Sequence, residues 1–450
     1  MHRILHLLLP ASALLLLLSC SPETTPRPGS VIFLHPDGTG LIHWSAGRIR
    51  WAGPDGQLAW DRLPAIALYR THLRDSLGAS SNAGGTIHAY GVKVKQSAFG
   101  MDADQIPLTP SGQRLSLLRE AAAAGFSTGI VNTGHLAEPG TACFLASVPR
   151  RADEEEIVSQ ILASQTPIIL GGGESLFLPK GAPGRHGPGR RQDGRDLIAE
   201  ARALGYEVVF NKQELAALSP SVEKLLGLFA YEDTYHDGPP AKTRAKKLPL
   251  YDEDAPTYAE MIEASLRILG KNPKGFFLVA EEEGTDNFSN FNHAEGMLEA
   301  VRRADAGIQV ARDFIQKHPK TLLLVAADSE ASGPQIIGAP PSHPLLTPGK
   351  KLPPTIPKHG TPLDGSKGPA TEPFLSASDA AGQTHAFAIA WASPYDGGGD
   401  IVVRADGYRS ELVHGSIDNT DIYRIIRSTL FPASLKISNP SPTASRKHID

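Results

Sequence analysis

Residues 275–333 read GFFLVAEEEGTDNFSNFNHAEGMLEAVRRADAGIQVARDFIQKHPKTLLLVAADSEASG, and the fold follows from how this stretch is read. The apolar run 276–280 is short enough for a buried strand and ends in the acidic loop EEEGTD, residues 281–286. A second run, 322–327, ends in Asp328-Ser329-Glu330. Between them Leu298, Val301, Ile308, Ala311 and Ile315 recur at helical spacing, which predicts a long amphipathic helix. Two buried strands joined by a helix lie parallel, because a parallel pair needs a crossover connection. Both acidic loops then leave the same, C-terminal, edge of one sheet, where open α/β folds bind ligands. Carboxylates gathered there repel one another unless cations sit among them. A single acidic loop reads equally well as solvated; two on one edge predict a metal site.

Working outward, the chain repeats this alternation. The strand run 31–34 breaks at His35-Pro36-Asp37-Gly38, where glycine lets backbone approach a metal or phosphate closely. Residues 74–86, RDSLGASSNAGGT, are dense in small side chains that leave room for a substrate. A hydroxyl there, at the start of a helix, meets a positive helix end. No G-x-S-x-G elbow surrounds it, so a serine nucleophile needs activation by something other than a histidine base, and a metal serves. A helix over 111–124 leads to a strand at 128–132, then Arg150-Arg151, a pair suited to bidentate phosphate contact. Gly171-Gly172-Gly173 follows a strand without Rossmann or P-loop spacing and reads as a tight turn. Strands and helices resume at 386–391 and 401–404, and a final helix is predicted over 420–430.

The 450 residues carry a net charge of −4, which calls for neither nucleic acid nor an anionic membrane surface. The two cysteines, Cys20 and Cys143, exclude a disulfide framework and a thiolate metal site. Arg3 and the apolar run 7–18 read as a signal peptide, residues 1–19, ending in Leu17-Leu18-Ser19-Cys20. That ending resembles a bacterial lipobox, which implies cleavage before Cys20, lipidation of its thiol and residence in the cell envelope as an exported lipoprotein. Residues 20–30 are expected to form a tether and 31–431 a single domain. Within it 334–382 is a loop-rich crown insertion, and 432–450 is a polar tail predicted to be disordered.

From about residue 30 to 430 the chain resembles the alkaline phosphatases. The motifs are VIFLHPDGTG (31–40), SNAGGT with GVK (81–86 and 91–93), VPRR (148–151), IILGGG (168–173), DGRDL (193–197) and NPKGFF (272–277). The resemblance implies an α/β fold with a large, mostly parallel central sheet and helices on both faces. It implies metal-dependent hydrolysis of phosphate monoesters through a phosphoserine on Ser81, with Arg151 gripping phosphate. It implies two or three divalent cations, one held by Asp37 and Asp328 and another by Asp286, Asp396 and either Asn290 or His293. A third would lie at Glu281 with Asp37 and either Glu138 or Thr141. Small phosphorylated compounds are the expected partners, nucleic acid is not, the membrane enters only through a lipid on Cys20, and a homodimer is compatible.

The departures from the family pattern are specific. Ser329 and Asn290 stand where histidine ligands are expected, Asp396 where another is expected, Ser80 where Asp precedes the nucleophile, and Gly140 where a Thr ligand is expected. Oxygen ligands survive and imidazoles are lost, which favours Mg²⁺, Ca²⁺ or Mn²⁺ over zinc at the first two positions. Hydrolysis of phosphodiesters or sulfate esters, or a non-catalytic lipid-anchored phosphate- or cation-binding protein, are the alternatives on this scaffold.

Overall fold

The computed structural model describes residues 27–338, 344–347 and 349–432. The expected signal peptide, the first part of the tether and nearly all of the tail lie outside them. In chain order β1 (Ser30–Pro36), β2 (Ala65–Arg70), β3 (Ser127–His135), β4 (Ile168–Gly172), β5 (Glu207–Val209), β6 (Leu225–Leu228), β7 (Phe276–Glu282) and β8 (Thr321–Val325) enter one ten-stranded sheet. Two late strands, Asp400–Gly407 and His414–Asp418, complete it. Across the sheet the order is His414–Asp418, β2, Asp400–Gly407, β8, β1, β7, β3, β4, β6, β5. Asp400–Gly407 runs antiparallel to both neighbours, and the remaining pairs are parallel.

The two strands of the 275–333 stretch run in the same direction, as expected, but do not touch. β1 lies between them, pairing with β7 on one side and β8 on the other. The reason is burial on both faces. Val31 and Phe33 point into one core with Phe277, Val279, Leu322 and Leu324. Ile32 and Leu34 point into the other with Leu278, Ala280, Leu323 and Val325. Strands this apolar on both sides belong at the centre of a sheet covered by helices. The first core is covered by Leu117–Ala123, Glu154–Ala163 and Asn419–Leu430, the second by Tyr258–Leu269 and the long helix Ala294–Lys317. The predicted fold class is therefore the observed one.

Residues 334–382 are less featureless than their composition suggests. Pro334–Gly338 and Leu363–Gly365 pair with Ala386–Trp391 in a small antiparallel sheet with its own core of Leu346, Leu352, Leu363, Ala388 and Ala390. Ala386–Trp391 thus belongs to this crown and not to the main sheet. The crown is tied to the body where the Asp364 carboxylate accepts the Ala294 N–H at 3.0 Å, at the first turn of the long helix.

Because both cores must be filled, truncation at the sheet centre is costly. Phe277 is fully buried, its ring edge-on to Phe144 with centroids 6.0 Å apart. Phe277→Ala should cost about 3–5 kcal/mol, read as a lowered urea midpoint. Leu77→Ala, at a side chain 82% exposed, should move it within about 0.5 kcal/mol.

Candidate active site

Four adjacent strands, β8, β1, β7 and β3, end side by side at the C-terminal edge of the sheet. Past their ends come Asp328, Asp37, Glu283 with Asp286, and Glu138 respectively. Asp37, Glu283, Asp286 and Asp328 are all buried. Asp37, Glu283 and Asp286 each offer an oxygen within 4.8 Å of one another. Asp396 joins them because the short strand Asp396–Gly397 pairs with Glu330–Ala331, just past Asp328. Glu282, pointing to the opposite face, is spent on an ion pair with Arg303 at 3.2 Å.

Buried carboxylate oxygens are normally hydrogen-bonded, and several of these are not. Among the described residues Asp37 Oδ2, Glu283 Oε2, Asp286 Oδ1, both Asp328 oxygens and the Ser329 hydroxyl have no partner. Burial pushes the Asp286, Asp328 and Glu283 carboxyls well above the usual range, and neighbouring carboxylates push them further. Divalent cations satisfy such oxygens, and a donor set of this kind fits Mg²⁺, Ca²⁺ or Mn²⁺. Asn290 is bound in the opposite sense. Its Nδ2 donates to Asp286 Oδ2 at 2.9 Å and to Asp396 Oδ1 at 3.2 Å, while its oxygen accepts from Ser332 at 3.0 Å. To act as a ligand it would rotate its amide, and the Ser332 hydroxyl can then accept from Nδ2.

Ser81 opens helix α2 (Ser81–Tyr90), which follows α1 (Leu41–Trp51) in the chain and grows out of the small-residue segment 74–86. Ser80, where the family pattern has Asp, is its N-cap and accepts from the Ala83 N–H. Gly91, at φ +69°, ends it in the left-handed conformation that glycine adopts without penalty. Gly84 lets the first turn lie against Asp328: a Cβ there would be 2.6 Å from Asp328 Oδ2. Ser81, Arg151, Asp286, Asn290 and Asp396 then line one cleft of about 680 Å³.

Arg151 is half-exposed in that cleft and ion-paired with Glu138, which also binds His135 Nε2 at 2.9 Å. Burial raises the Glu138 carboxyl, but the His135 and Arg151 cations outweigh it and lower it to about 2. Burial likewise lowers His135, and Glu138 reverses this to about 9. Thr141 Oγ1 accepts from Asn132 Nδ2 at 3.0 Å, and the same amide donates to Glu281 Oε2. Glu281 Oε1 meets His35 Nδ1 at 3.0 Å. The donor atoms of Glu138, Thr141 and Glu281 are thus engaged with protein partners. His293 lies apart from the carboxylates. Its ring packs edge-on to Phe288 and reaches the Gly238 backbone, and burial lowers it to about 4.

Sequence reading passed over Glu283, His135 and Asn132. Glu283 was legible: two residues after Glu281 at a strand end, it shares that residue's face. His135 pairs with Glu138 three residues on, a contact within the reach of its spacing, whereas Asn132 meets Glu281 from β7, which no local pattern announces.

A sequence profile of the alkaline phosphatases matches residues 30–431. This chain belongs to the alkaline phosphatase family. It is accordingly a phosphoric ester hydrolase. Among curated proteins, it is 30% identical over 363 residues to a streptomycin-6-phosphate phosphatase of Streptomyces griseus, covering 70% of this chain and 78% of that one. It is 29% identical over 443 residues to alkaline phosphatase H of Pseudomonas aeruginosa, covering 89% and 85% respectively. The solved alkaline phosphatase of Thermus thermophilus shares the fold with a TM-score of 0.70 at 24% identity, covering 90% of this chain and 91% of that one. That of the Antarctic bacterium TAB5 does so with a TM-score of 0.67 at 20% identity, over 90% and 99%.

The unsatisfied oxygens of this alkaline phosphatase relative predict a response to metal. Protein dialysed against chelator should melt at a higher temperature when Mg²⁺ or Mn²⁺ is added, by about 2.7 kcal/mol of stability at 100-fold over Kd. Asp328→Asn should lose most of that rise. A wild-type midpoint indifferent to every divalent cation would contradict the assignment.

Proposed function

We propose that the chain hydrolyses phosphate monoesters through a phosphoserine formed on Ser81, assisted by two divalent cations. One would be held by Asp37 and Asp328, the other by Asp286 and Asp396 with Asn290. The observation that carries this reading is the meeting of Ser81, Arg151, Asp286 and Asp396 at one cleft, with the unsatisfied oxygens of Asp37 beside Asp286 and those of Asp328 against the first turn of α2. A third cation at Glu281 is not needed, since its oxygens and those of Glu138 and Thr141 already have protein donors or carbonyl partners.

Ser81 Oγ forms a bond to phosphorus as the ester oxygen leaves, and water then displaces Oγ to release phosphate. Bound cations would supply Lewis-acid stabilisation of the entering and leaving oxygens. The chain's own contribution is placement. The first turn of α2 offers backbone N–H groups and a positive helix end beside the reacting oxygen. Arg151 presents a planar fork to two non-bridging oxygens, and Glu138 with His135 behind it holds that fork in position. At the Asp286 position the donors are all oxygens, which suits Mg²⁺, Ca²⁺ or Mn²⁺. The relatives reported above are named as phosphatases, which favours phosphate over sulfate esters.

Ser81→Ala should abolish aryl phosphate hydrolysis, toward the roughly million-fold loss felt when a hydrolase loses its nucleophile. Its metal content should be unchanged, because every carboxylate remains. Turnover near the wild-type rate would remove Ser81 from this role.

The same proposal includes export and anchoring by a lipid on Cys20, and its support is the sequence of residues 1–20 alone. Expressed in a Gram-negative host, wild-type protein should fractionate with membranes and Cys20→Ser should not. Wholly soluble wild-type protein would be the contrary result.

A further inference from the structure

His35, the next-to-last residue of β1, stands in the middle of the carboxylate cluster and is fully buried. Its Nδ1 meets Glu281 Oε1 at 3.0 Å. Its Nε2 has no hydrogen-bond partner among the described residues. That nitrogen lies 4.0 Å from Asp37 Oδ1 and 3.9 Å from Asp328 Oδ1. Both Asp328 oxygens and Asp37 Oδ2 are likewise without partners. Resting on the phosphatase reading above, we propose that His35 is a metal ligand, its Nε2 sharing one cation with Asp37 and Asp328 in place of the imidazole that Ser329 does not provide.

Three independent features support this. The first is the tautomer. A metal-binding histidine characteristically donates its other ring N–H to a carboxylate, which turns the free lone pair toward the metal. Glu281 is that carboxylate here, and its second oxygen is held in turn by Asn132. The second is distance. At 3.9 and 4.0 Å, Nε2 is too far from either aspartate for a hydrogen bond. Two donors each about 2.0–2.2 Å from a shared cation lie at most about 4.4 Å apart, so the spacing accommodates an ion. The third is space. At position 140, where the family resemblance calls for Thr, a Cβ would run into the Glu281 carboxylate and lie 2.6 Å from His35 Nδ1. Gly140 therefore leaves the room that the His35–Glu281 pair occupies. The ring is also held from the side by His88, edge-on with centroids 5.5 Å apart, whose own Nε2 is taken by the Tyr69 hydroxyl.

The two cation positions then differ. Asp286 with Asp396 offers only oxygen, whereas Asp37 with Asp328 gains one imidazole and shifts toward Mn²⁺ or Zn²⁺. This replaces the expectation from sequence that zinc is disfavoured at both.

The test uses full-length protein with isotope-labelled histidine, stripped of metal and titrated with NMR-active cadmium, which takes nitrogen and oxygen donors alike. One histidine ring should show one-bond coupling to cadmium. His35→Gln should lose that coupling and weaken one of the two cadmium sites at least about 10–100-fold, the cost of removing even a ligand's supporting partner. If His35→Gln does not fold, the coupled ring is assigned in wild-type protein by its contacts with Phe33 and His88 protons. Cadmium binding with no coupled ring, or coupling retained in the variant, overturns the proposal. Either result, obtained with protein that hydrolyses aryl phosphates through Ser81, leaves the phosphatase reading intact; loss of that hydrolysis in wild-type protein would refute the reading itself.

Discussion

Everything at the top of this sheet depends on negative charge concentrated where four parallel strands end. Parallel strands share one polarity, so their following loops must converge, and β8, β1, β7 and β3 each deliver a carboxylate to the same place. Taking even one charge out of water costs several kcal/mol unless it is paired. Here Asp37, Glu283, Asp286 and Asp328 are buried together with oxygens that no donor among the described residues reaches. The protein is built around a positive charge that its own side chains do not fully supply.

Close approach is what makes such a cluster possible, and small residues provide it. Gly84 lets α2 lie on Asp328, and Gly38, at φ +62°, brings the β1 loop to 2.6 Å from Asp286 Oδ1 as judged from where its Cβ would be. The Gly84 contact holds the first turn of α2, and Ser81 with it, against Asp328. A side chain at position 84 would push α2 away from Asp328, and one at position 38 would run into Asp286 and Ala331.

On the far side of the cleft the charges are already balanced. Glu138 sits between His135 and Arg151, and the guanidinium side chain keeps about half its surface open in the cleft. The site is thus divided: in one half the Glu138 carboxylate is paired on both oxygens, and in the other Asp37, Glu283, Asp286 and Asp328 keep oxygens without a partner among the described residues. Glu281 belongs to the satisfied half by its hydrogen bonds, although its place in the sequence groups it with the ligands.

Local pattern was enough to determine the α/β class, the central strands and the carboxylates at their ends. Buried strands must be apolar on both faces, and polar loops must follow them, so 276–280, 322–327 and 31–34 announce themselves. The motif around Ser81 was equally legible, because a helix start needs its cap and small residues in order along the chain. Which carboxylates keep free oxygens was not legible. That depends on donors arriving from distant strands, as Asn132 and His35 reach Glu281 from β3 and β1. The apparent loss of imidazole at Ser329, Asn290 and Asp396 is a fact of alignment. The sequence sets His35 two residues before Asp37, but only the tertiary structure brings Asp328 to it, because β1–β8 register and packing decide that distance and spacing along the chain does not.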